Sequence, residues 1–196
     1  MKIEDLFERV SANLLVVDVQ PEYSRYSDRI VGNVCHLLNT HRGKKVVLFN
    51  GNEVSNDTKE AVMYYYFEYG LNEENVDQIQ FIEKSYGFFR GWMDSGISDS
   101  IIIKTIRAMH QQRMYDSRQL IENNLLKYYL SPAECATVED LADPIYFPDF
   151  FSINFLRSLS PFYIMGGGRN ECLREIELIC NAFNIRHKRI DNLIYG

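Results

Sequence analysis

The clearest indication of the architecture is the run Phe162-Tyr-Ile-Met-Gly-Gly-Gly-Arg-Asn-Glu-Cys172-Leu-Arg-Glu-Ile-Glu-Leu-Ile-Cys-Asn-Ala-Phe183. A short apolar segment precedes three glycines, and apolar residues at helical spacing follow, which predicts a strand, a tight turn and an amphipathic helix. Cys172 lies in the first turn of the predicted helix, where backbone N–H groups favour an anion and lower the pKa of a thiol. Cys172 is therefore a candidate nucleophile.

Three more segments are typical of strands. Asn13-Leu-Leu-Val-Val-Asp18 and Lys45-Val-Val-Leu-Phe-Asn50 contain unbroken apolar runs, as in strands buried on both faces, and residues 78–84 alternate. Residues 27–42 and 57–69 have helical spacing and lie between these strands. Alternating strands and helices predict right-handed crossovers. We expect an α/β protein, Rossmann-like, with three α/β/α layers and a mostly parallel central sheet.

Residues 94–157 are predicted to form a helical insertion within a single domain that spans residues 1–196. Two sets of residues each share a helical face: Ile102, Ile106 and Met109, then Ile121, Leu125, Tyr128 and Tyr129. Ser131-Pro132 is expected to end this helical pair, and residues 143–151 to form an aromatic loop. Residues 3–11 are interpreted as a short helix and residues 186–191 as the last strand.

Composition narrows the class of protein. The net charge of −6 disfavours a nucleic-acid or anionic-membrane partner, and no apolar run approaches the ~20 residues of a membrane span. The polar start is not that of a signal peptide. The chain has four cysteines, none in CxxC spacing: Cys35, Cys135, Cys172 and Cys180. We therefore expect reduced thiols and a cytoplasmic protein.

Polar groups converge on one edge of the predicted sheet. Asp18, Lys84 and Cys172 each come just after a predicted strand, as does the loop 50–53. In parallel sheets ligands bind outside the carboxyl ends of the strands. Taken singly, each residue has a structural interpretation: a buried thiol, a turn cap or a surface cation.

Three elements in order resemble a known family: Leu14-Leu-Val-Val-Asp18-Val-Gln20, Lys84 followed by Tyr86-Gly-Phe-Phe, and Gly166-Gly-Gly-Arg-Asn-Glu-Cys172. Together they are similar to the isochorismatase-like cysteine hydrolases, which include nicotinamidases, carbamoyl-amide hydrolases, ureido-acid hydrolases and isochorismatase. The resemblance covers roughly residues 12–93 and 160–192.

The resemblance implies a triad in which Cys172 attacks, Asp18 acts as base and acid, and Lys84 orients the groups and stabilises charge. Such roles suit the residue types, since a thiolate is a good nucleophile once a base takes its proton. The family's oxyanion hole uses backbone N–H groups beside a cis peptide. By similarity this maps onto a cis Gly167–Gly168 link and the N–H groups of Glu171 and Cys172.

Two departures from the family pattern affect the expected chemistry. Where nicotinamidase-like members carry an Asp-x-His metal motif, this chain has Asn50-Gly51-Asn52. No histidine is spaced to replace the motif, so we expect no catalytic metal and no cofactor. Arg169 replaces the usual Thr before the nucleophile. It would depress the pKa of the thiol, bind a substrate carboxylate, or mark a site no longer under catalytic demand.

Substrate contacts are expected from Asn50, Arg169 and the aromatic residues Phe88, Phe89 and Trp92, for which core packing is the alternative. The leading hypothesis is a metal-independent cysteine hydrolase that cleaves a small amide or related C–N bond through a thioester. We expect a small-molecule substrate and a homo-oligomer. The alternative is an inactive binding or regulatory protein whose insertion contacts a partner. A nucleotide-binding domain with a Gly166–Gly168 phosphate loop is the third and weakest hypothesis.

Overall fold

A five-stranded parallel sheet forms the centre of the structure, which is a computed structural model. The strands are β1 (Asn13–Val17), β2 (Lys45–Asn50), β3 (Ile79–Lys84), β4 (Phe162–Gly166) and β5 (His187–Arg189). Their order is β3-β2-β1-β4-β5, and every adjacent pair is parallel. With helices between the strands, this order confirms the predicted Rossmann-like α/β class.

Helices connect the strands. They are α1 (Ser24–Ser27), α2 (Val31–Thr40), α3 (Lys59–Glu68), α4 (Arg90–Asp94), α5 (Asp99–Gln112), α6 (Ser117–Glu122), α7 (Pro132–Glu139), α8 (Ile153–Leu159) and α9 (Cys172–Ala182). Turns of 3₁₀ helix cover Pro21–Tyr23, Glu73–Gln78, Leu126–Tyr128 and Asp191–Leu193. Within the described residues, no helix combines the length and the apolar character needed to cross a membrane.

The structure describes residues 12–51, 56–84, 88–141, 144–146 and 153–196. Several sequence predictions fall outside these ranges. They concern the helix over residues 3–11, the second half of the loop at 50–53, the Tyr86-Gly87 pair and most of the aromatic loop at 143–151.

The chain forms two compact units. The first comprises Met1–Tyr86, Arg157–Leu173 and Arg186–Gly196, and the second comprises Gly87–Leu156 and Arg174–Ile185. Almost all of the expected insertion at residues 94–157 belongs to the second unit. The division into one domain with an insertion stays a prediction.

The first unit contains the sheet and its core. Residues Leu14 to Val17 of β1 are completely buried, which explains why this strand is apolar at successive positions. Leu14 and Val16 belong to a core cluster with α2 and α3, to which Val34 and Tyr66 contribute. The burial of β1 places its carboxyl end, and the residue that follows it, in the interior.

The second unit confirms one predicted helical face and contradicts the other. Ile102, Ile106 and Met109 of α5 are buried as expected. The predicted helix over residues 121–129 is wrong, because α6 ends at Glu122 and Asn124 adopts a left-handed conformation with φ of 53°. Asparagine tolerates this conformation and stops a helix. A short 3₁₀ turn follows instead.

Ser131-Pro132 begins a helix rather than ending one. The Ser131 hydroxyl accepts the N–H of Glu134, and the Glu134 carboxylate accepts the N–H of Ser131 at 2.8 Å. This reciprocal capping box, with proline at the first helical position, is a strong signal for a helix start. Helix α7 therefore begins here.

Glu175 is a charged residue of α9 that lies in the interior. It is buried, and its carboxylate accepts the backbone N–H of Phe89 at 2.7 Å. A buried carboxylate needs such a donor, because an uncompensated charge in the interior is costly. Within the second unit, Glu175 therefore anchors the backbone that precedes α4.

Candidate active site

Glycines allow β4 to end directly beside β1. Val17 and Gly166 are register partners in the two parallel strands. Gly166 has φ of 80°, and a Cβ atom placed on it would lie 2.3 Å from the Val17 carbonyl oxygen. Gly167 is also left-handed, with φ of 53°, and an added Cβ would lie 3.3 Å from the N atom of Leu173. Only glycine fits the close approach at position 166.

The predicted cis peptide between Gly167 and Gly168 is wrong. Among the described residues the cis peptide is Ser160–Pro161, so the Gly167–Gly168 link is trans. The chain turns through the successive left-handed glycines 166 and 167 instead. Because glycine reaches this conformation at little steric cost, the turn does not need a cis bond.

Asp18 is a buried carboxylate at the end of β1. It is completely buried, and its φ of 51° is unusual for a residue with a side chain. Its Oδ2 lies 3.0 Å from the Nζ of Lys84, the last residue of β3. Within the described residues, neither Asp18 oxygen has a hydrogen-bond partner.

Asn50 connects Lys84 to Tyr23. The Lys84 ammonium donates to Asn50 Oδ1 at 2.8 Å, and Asn50 Nδ2 donates to the Tyr23 hydroxyl at 2.8 Å. An ammonium only donates, so this contact fixes which end of the amide faces Lys84. Asn50 is buried and positions Lys84. Its predicted contact with substrate stays a prediction.

Gln20 fixes the backbone of Asn50. Its Oε1 accepts the Asn50 N–H at 2.8 Å, and its Nε2 donates to the Asn50 carbonyl at 3.1 Å and to Asp57 at 2.8 Å. Asp57 also accepts the N–H of Glu22 at 2.9 Å. This buried network holds the ends of β1 and β2 together, and therefore limits the positions open to Lys84.

Cys172 is the first residue of α9 and is half-buried. Cys172 and Asp18 both influence the pKa of two tyrosines. Burial raises the pKa of Tyr195, and the charges of Asp18 and Cys172 raise it further. Burial likewise raises the pKa of Tyr23, a hydrogen bond from Asn50 opposes this effect, and Asp18 and Cys172 add to the increase. Both phenols therefore lie within the field of both candidate catalytic groups.

The other cysteines occupy surroundings that disfavour the thiolate. Burial raises the pKa of the Cys35 and Cys180 thiols to about 12. Burial also raises the pKa of Cys135, and the nearby carboxylates of Glu139 and Glu134 add to this effect. These three thiols therefore serve as internal references for the reactivity of Cys172.

The predicted oxyanion donors are only partly available. The N–H of Glu171 donates to the Gly168 carbonyl at 3.0 Å, which closes the turn before α9. Gly167 and Gly168 are buried in that turn. Cys172 lies in the first turn of α9, where backbone N–H groups favour an anion. The oxyanion hole stays a prediction.

Arg169 contacts Asp191. Its guanidinium lies 3.0 Å from the Asp191 carboxylate, and the two side chains are 40% and 70% exposed. An exposed pair of this kind is weak and exchanges readily with other partners. The structure therefore gives Arg169 a partner other than a thiolate, and its predicted role with substrate is not tested by this contact.

Phe88, Phe89 and Trp92 lie in the second unit and are buried. The rings of Phe88 and Phe89 meet edge to face, with centroids 6.0 Å apart. These aromatic side chains therefore pack within the second unit. The predicted role as pocket walls stays a prediction.

No group of three or more His, Cys, Asp or Glu side chains suitable for a metal ion occurs within the described ranges. Tyr23 and Tyr195 lie near the candidate catalytic groups and were not predicted from the sequence. Tyr23 lies only a few residues after the Asp18-Val-Gln20 motif, so its closeness in the sequence could have indicated that it belongs to the site. Tyr195 gave no such signal, because it lies 177 residues from Asp18.

Comparisons with known protein families, with characterised proteins and with solved structures gave no match.

Proposed function

We propose that this protein is a metal-independent cysteine hydrolase that cleaves a small amide or a related C–N bond. The observation that carries the proposal is the state of Asp18: Oδ2 pairs with Lys84, whereas Oδ1 is buried and has no hydrogen-bond partner among the described residues. Burial of an unsatisfied carboxylate oxygen costs free energy. Such an oxygen is well suited to accept a proton.

The resemblance of the Asp18, Lys84 and Cys172 motifs to the isochorismatase-like hydrolases supports the same assignment. So does the position of all three residues at the carboxyl ends of β1, β3 and β4. The strand order changes direction between β1 and β4, which is where ligands bind in open α/β sheets. Sequence and topology therefore support one chemical site.

In the first step the thiol proton of Cys172 moves to Asp18, and the sulfur attacks the carbonyl carbon of the amide. The carbonyl electron pair moves to oxygen and forms a tetrahedral oxyanion. When this intermediate collapses, the C–N bond breaks and Asp18 returns the proton to the leaving nitrogen. The products of this step are a free amine or ammonia and a Cys172 thioester.

In the second step Asp18 takes a proton from water as the water oxygen attacks the thioester. Collapse breaks the C–S bond, and the proton returns to the Cys172 sulfur. The released product is a carboxylic acid. No group is oxidised or reduced, so the cycle needs only amide and water.

Lys84 keeps Asp18 in place and offsets negative charge while the proton moves. The Asn50 amide holds the Lys84 ammonium from the other side at 2.8 Å. Because both contacts are buried, they are little screened by solvent. Lys84 therefore acts through position and charge rather than through proton transfer.

The proposal can be tested by acid quenching of the protein with a library of small amides, followed by intact-mass measurement. We expect an added acyl mass on the wild type with at least one amide, and none on Cys172→Ala. Cys135→Ala is the matched control and should keep the adduct, since Cys135 has no role in the proposal. No adduct from any amide, together with a stable protein partner, would favour the inactive binding protein.

A further inference from the structure

We propose that Tyr195 is a positioning residue of this site, which joins the backbone of Asp18 to the turn that precedes Cys172. The catalytic consequence rests on the proposed hydrolase function. Tyr195 makes these two contacts with its side-chain hydroxyl and its backbone carbonyl group.

The side-chain contact holds Asp18. The Tyr195 hydroxyl donates to the Asp18 carbonyl oxygen at 2.7 Å. Asp18 is left-handed at φ of 51°, a conformation that costs free energy in residues with a side chain and persists only when neighbours hold it. This hydrogen bond is one such constraint. The backbone conformation in turn sets the direction of the carboxylate.

The backbone contact holds the other half of the site. The Tyr195 carbonyl accepts the N–H of Arg169 at 3.1 Å, and Tyr195 forms a parallel bridge with Gly168. These residues belong to the turn between β4 and Cys172. Tyr195 therefore contacts the chain after β1 and the chain after β4, which carry the proposed base and the proposed nucleophile.

Two further features suit Tyr195 to this role. Burial and the charges of Asp18 and Cys172 raise its pKa, so the phenol stays protonated and remains a donor. Its ring stacks on Tyr26, with centroids 5.8 Å apart and an interplanar angle of 15°. The ring is thus held independently of the hydroxyl, and removal of the hydroxyl alone should leave the packing intact.

The test is the pH profile of Cys172 labelling by iodoacetamide in wild type, Tyr195→Phe and Tyr26→Phe. In Tyr195→Phe we expect labelling at pH 7 to slow about tenfold, because Asp18 is less well placed to take the thiol proton as the sulfur attacks the reagent. Tyr26→Phe, which retains the stacked ring, should follow the wild type. Cys135 labelling and the urea midpoint report that the fold is retained.

A Tyr195→Phe profile that superimposes on an activated wild-type profile would overturn the positioning role and leave the hydrolase proposal standing. If wild-type Cys172 reacts no faster than Cys135, no activated thiol exists, and both proposals fail. The two failures are therefore distinguished by the wild-type profile alone.

Discussion

Two lysine–carboxylate pairs in this protein differ in a way that distance does not reveal. In the first unit Lys84 and Asp18 lie 3.0 Å apart, and their side chains are 3% and 0% exposed. In the second unit Lys104 and Glu134 lie closer, at 2.7 Å, but are 39% and 22% exposed. Solvent screens the shorter pair, whereas the longer pair is desolvated and therefore far more sensitive to loss of a partner.

The carboxylates also differ in their hydrogen bonds. Glu134 accepts from Lys104 and from the Ser131 N–H, so both of its oxygens are satisfied. Asp18 has no hydrogen-bond partner for either oxygen among the described residues. A pair that served only stability would be expected to resemble the Glu134 pair. The unsatisfied Asp18 carboxylate agrees with its proposed role as a base.

Removal of one partner from each pair should give the largest contrast. We expect Lys84→Met to lower the free energy of unfolding by about 3–5 kcal/mol, because it leaves Asp18 buried and uncompensated. Lys104→Met should change it little, since exposed pairs contribute little. Urea unfolding of both variants measures the difference. Equal effects would show that burial does not distinguish the two pairs.

The double variant Lys84→Met/Asp18→Asn sharpens this comparison. It removes both charges, so part of the stability lost in Lys84→Met should return. A double variant less stable than either single variant would show that the buried charge is not the cause of the loss.

Glycine substitutions should give the next largest contrast. Gly166 and Gly70 are both left-handed, with φ of 80° and 97°, but an added Cβ at Gly70 meets nothing within 4 Å. Backbone strain alone costs about 1–2 kcal/mol, which we expect for Gly70→Ala. Gly166→Ala should lose about 1–3 kcal/mol more, because the Cβ meets the Val17 carbonyl. Urea midpoints check both values, and similar losses would contradict the close approach of β4 to β1.

The smallest effect concerns pH. The contact with Lys104, aided by the Ser131 N–H, lowers the pKa of Glu134 to about 2. A carboxylate with a lowered pKa in the folded state adds stability above its ordinary pKa near 4.5, and this stability is lost as the pH falls toward 2. Glu134→Gln keeps a capping side chain but should lose this dependence. Thermal melting at pH 5 and at pH 2 measures this effect. The melting temperature of the wild type should fall slightly more than that of the variant, and equal falls would contradict the prediction.

Much of the sheet could be predicted from the sequence, because apolar runs mark buried strands and fix where those strands end. The places of Asp18, Lys84 and Cys172 follow from those ends. The left-handed backbone of Asp18 could not be predicted, because only neighbours such as Tyr195 hold it there. Tyr195 in turn lies far from Asp18 along the chain, and no local pattern links them.

The second unit was harder to predict, since its turns depend on single residues. Asn124 ends a helix that apolar spacing extended to residue 129, and the Ser131–Glu134 capping box starts one that Pro132 had suggested was ending. Glu175 is polar but buried, because the Phe89 N–H compensates its charge. The spacing of apolar residues predicts which face of a helix is buried, but it does not predict individual hydrogen bonds of this kind.

The central claim is that Asp18 activates Cys172, and labelling of all four thiols at pH 7 tests it most directly. We expect iodoacetamide, followed by peptide mass analysis, to modify Cys172 about tenfold faster than Cys135 and faster still than the deeply buried Cys35. Asp18→Asn should remove this advantage while Cys135 labelling stays unchanged. Equal rates for Cys172 and Cys135 in the wild type, or a fast Cys172 in Asp18→Asn, would contradict the account.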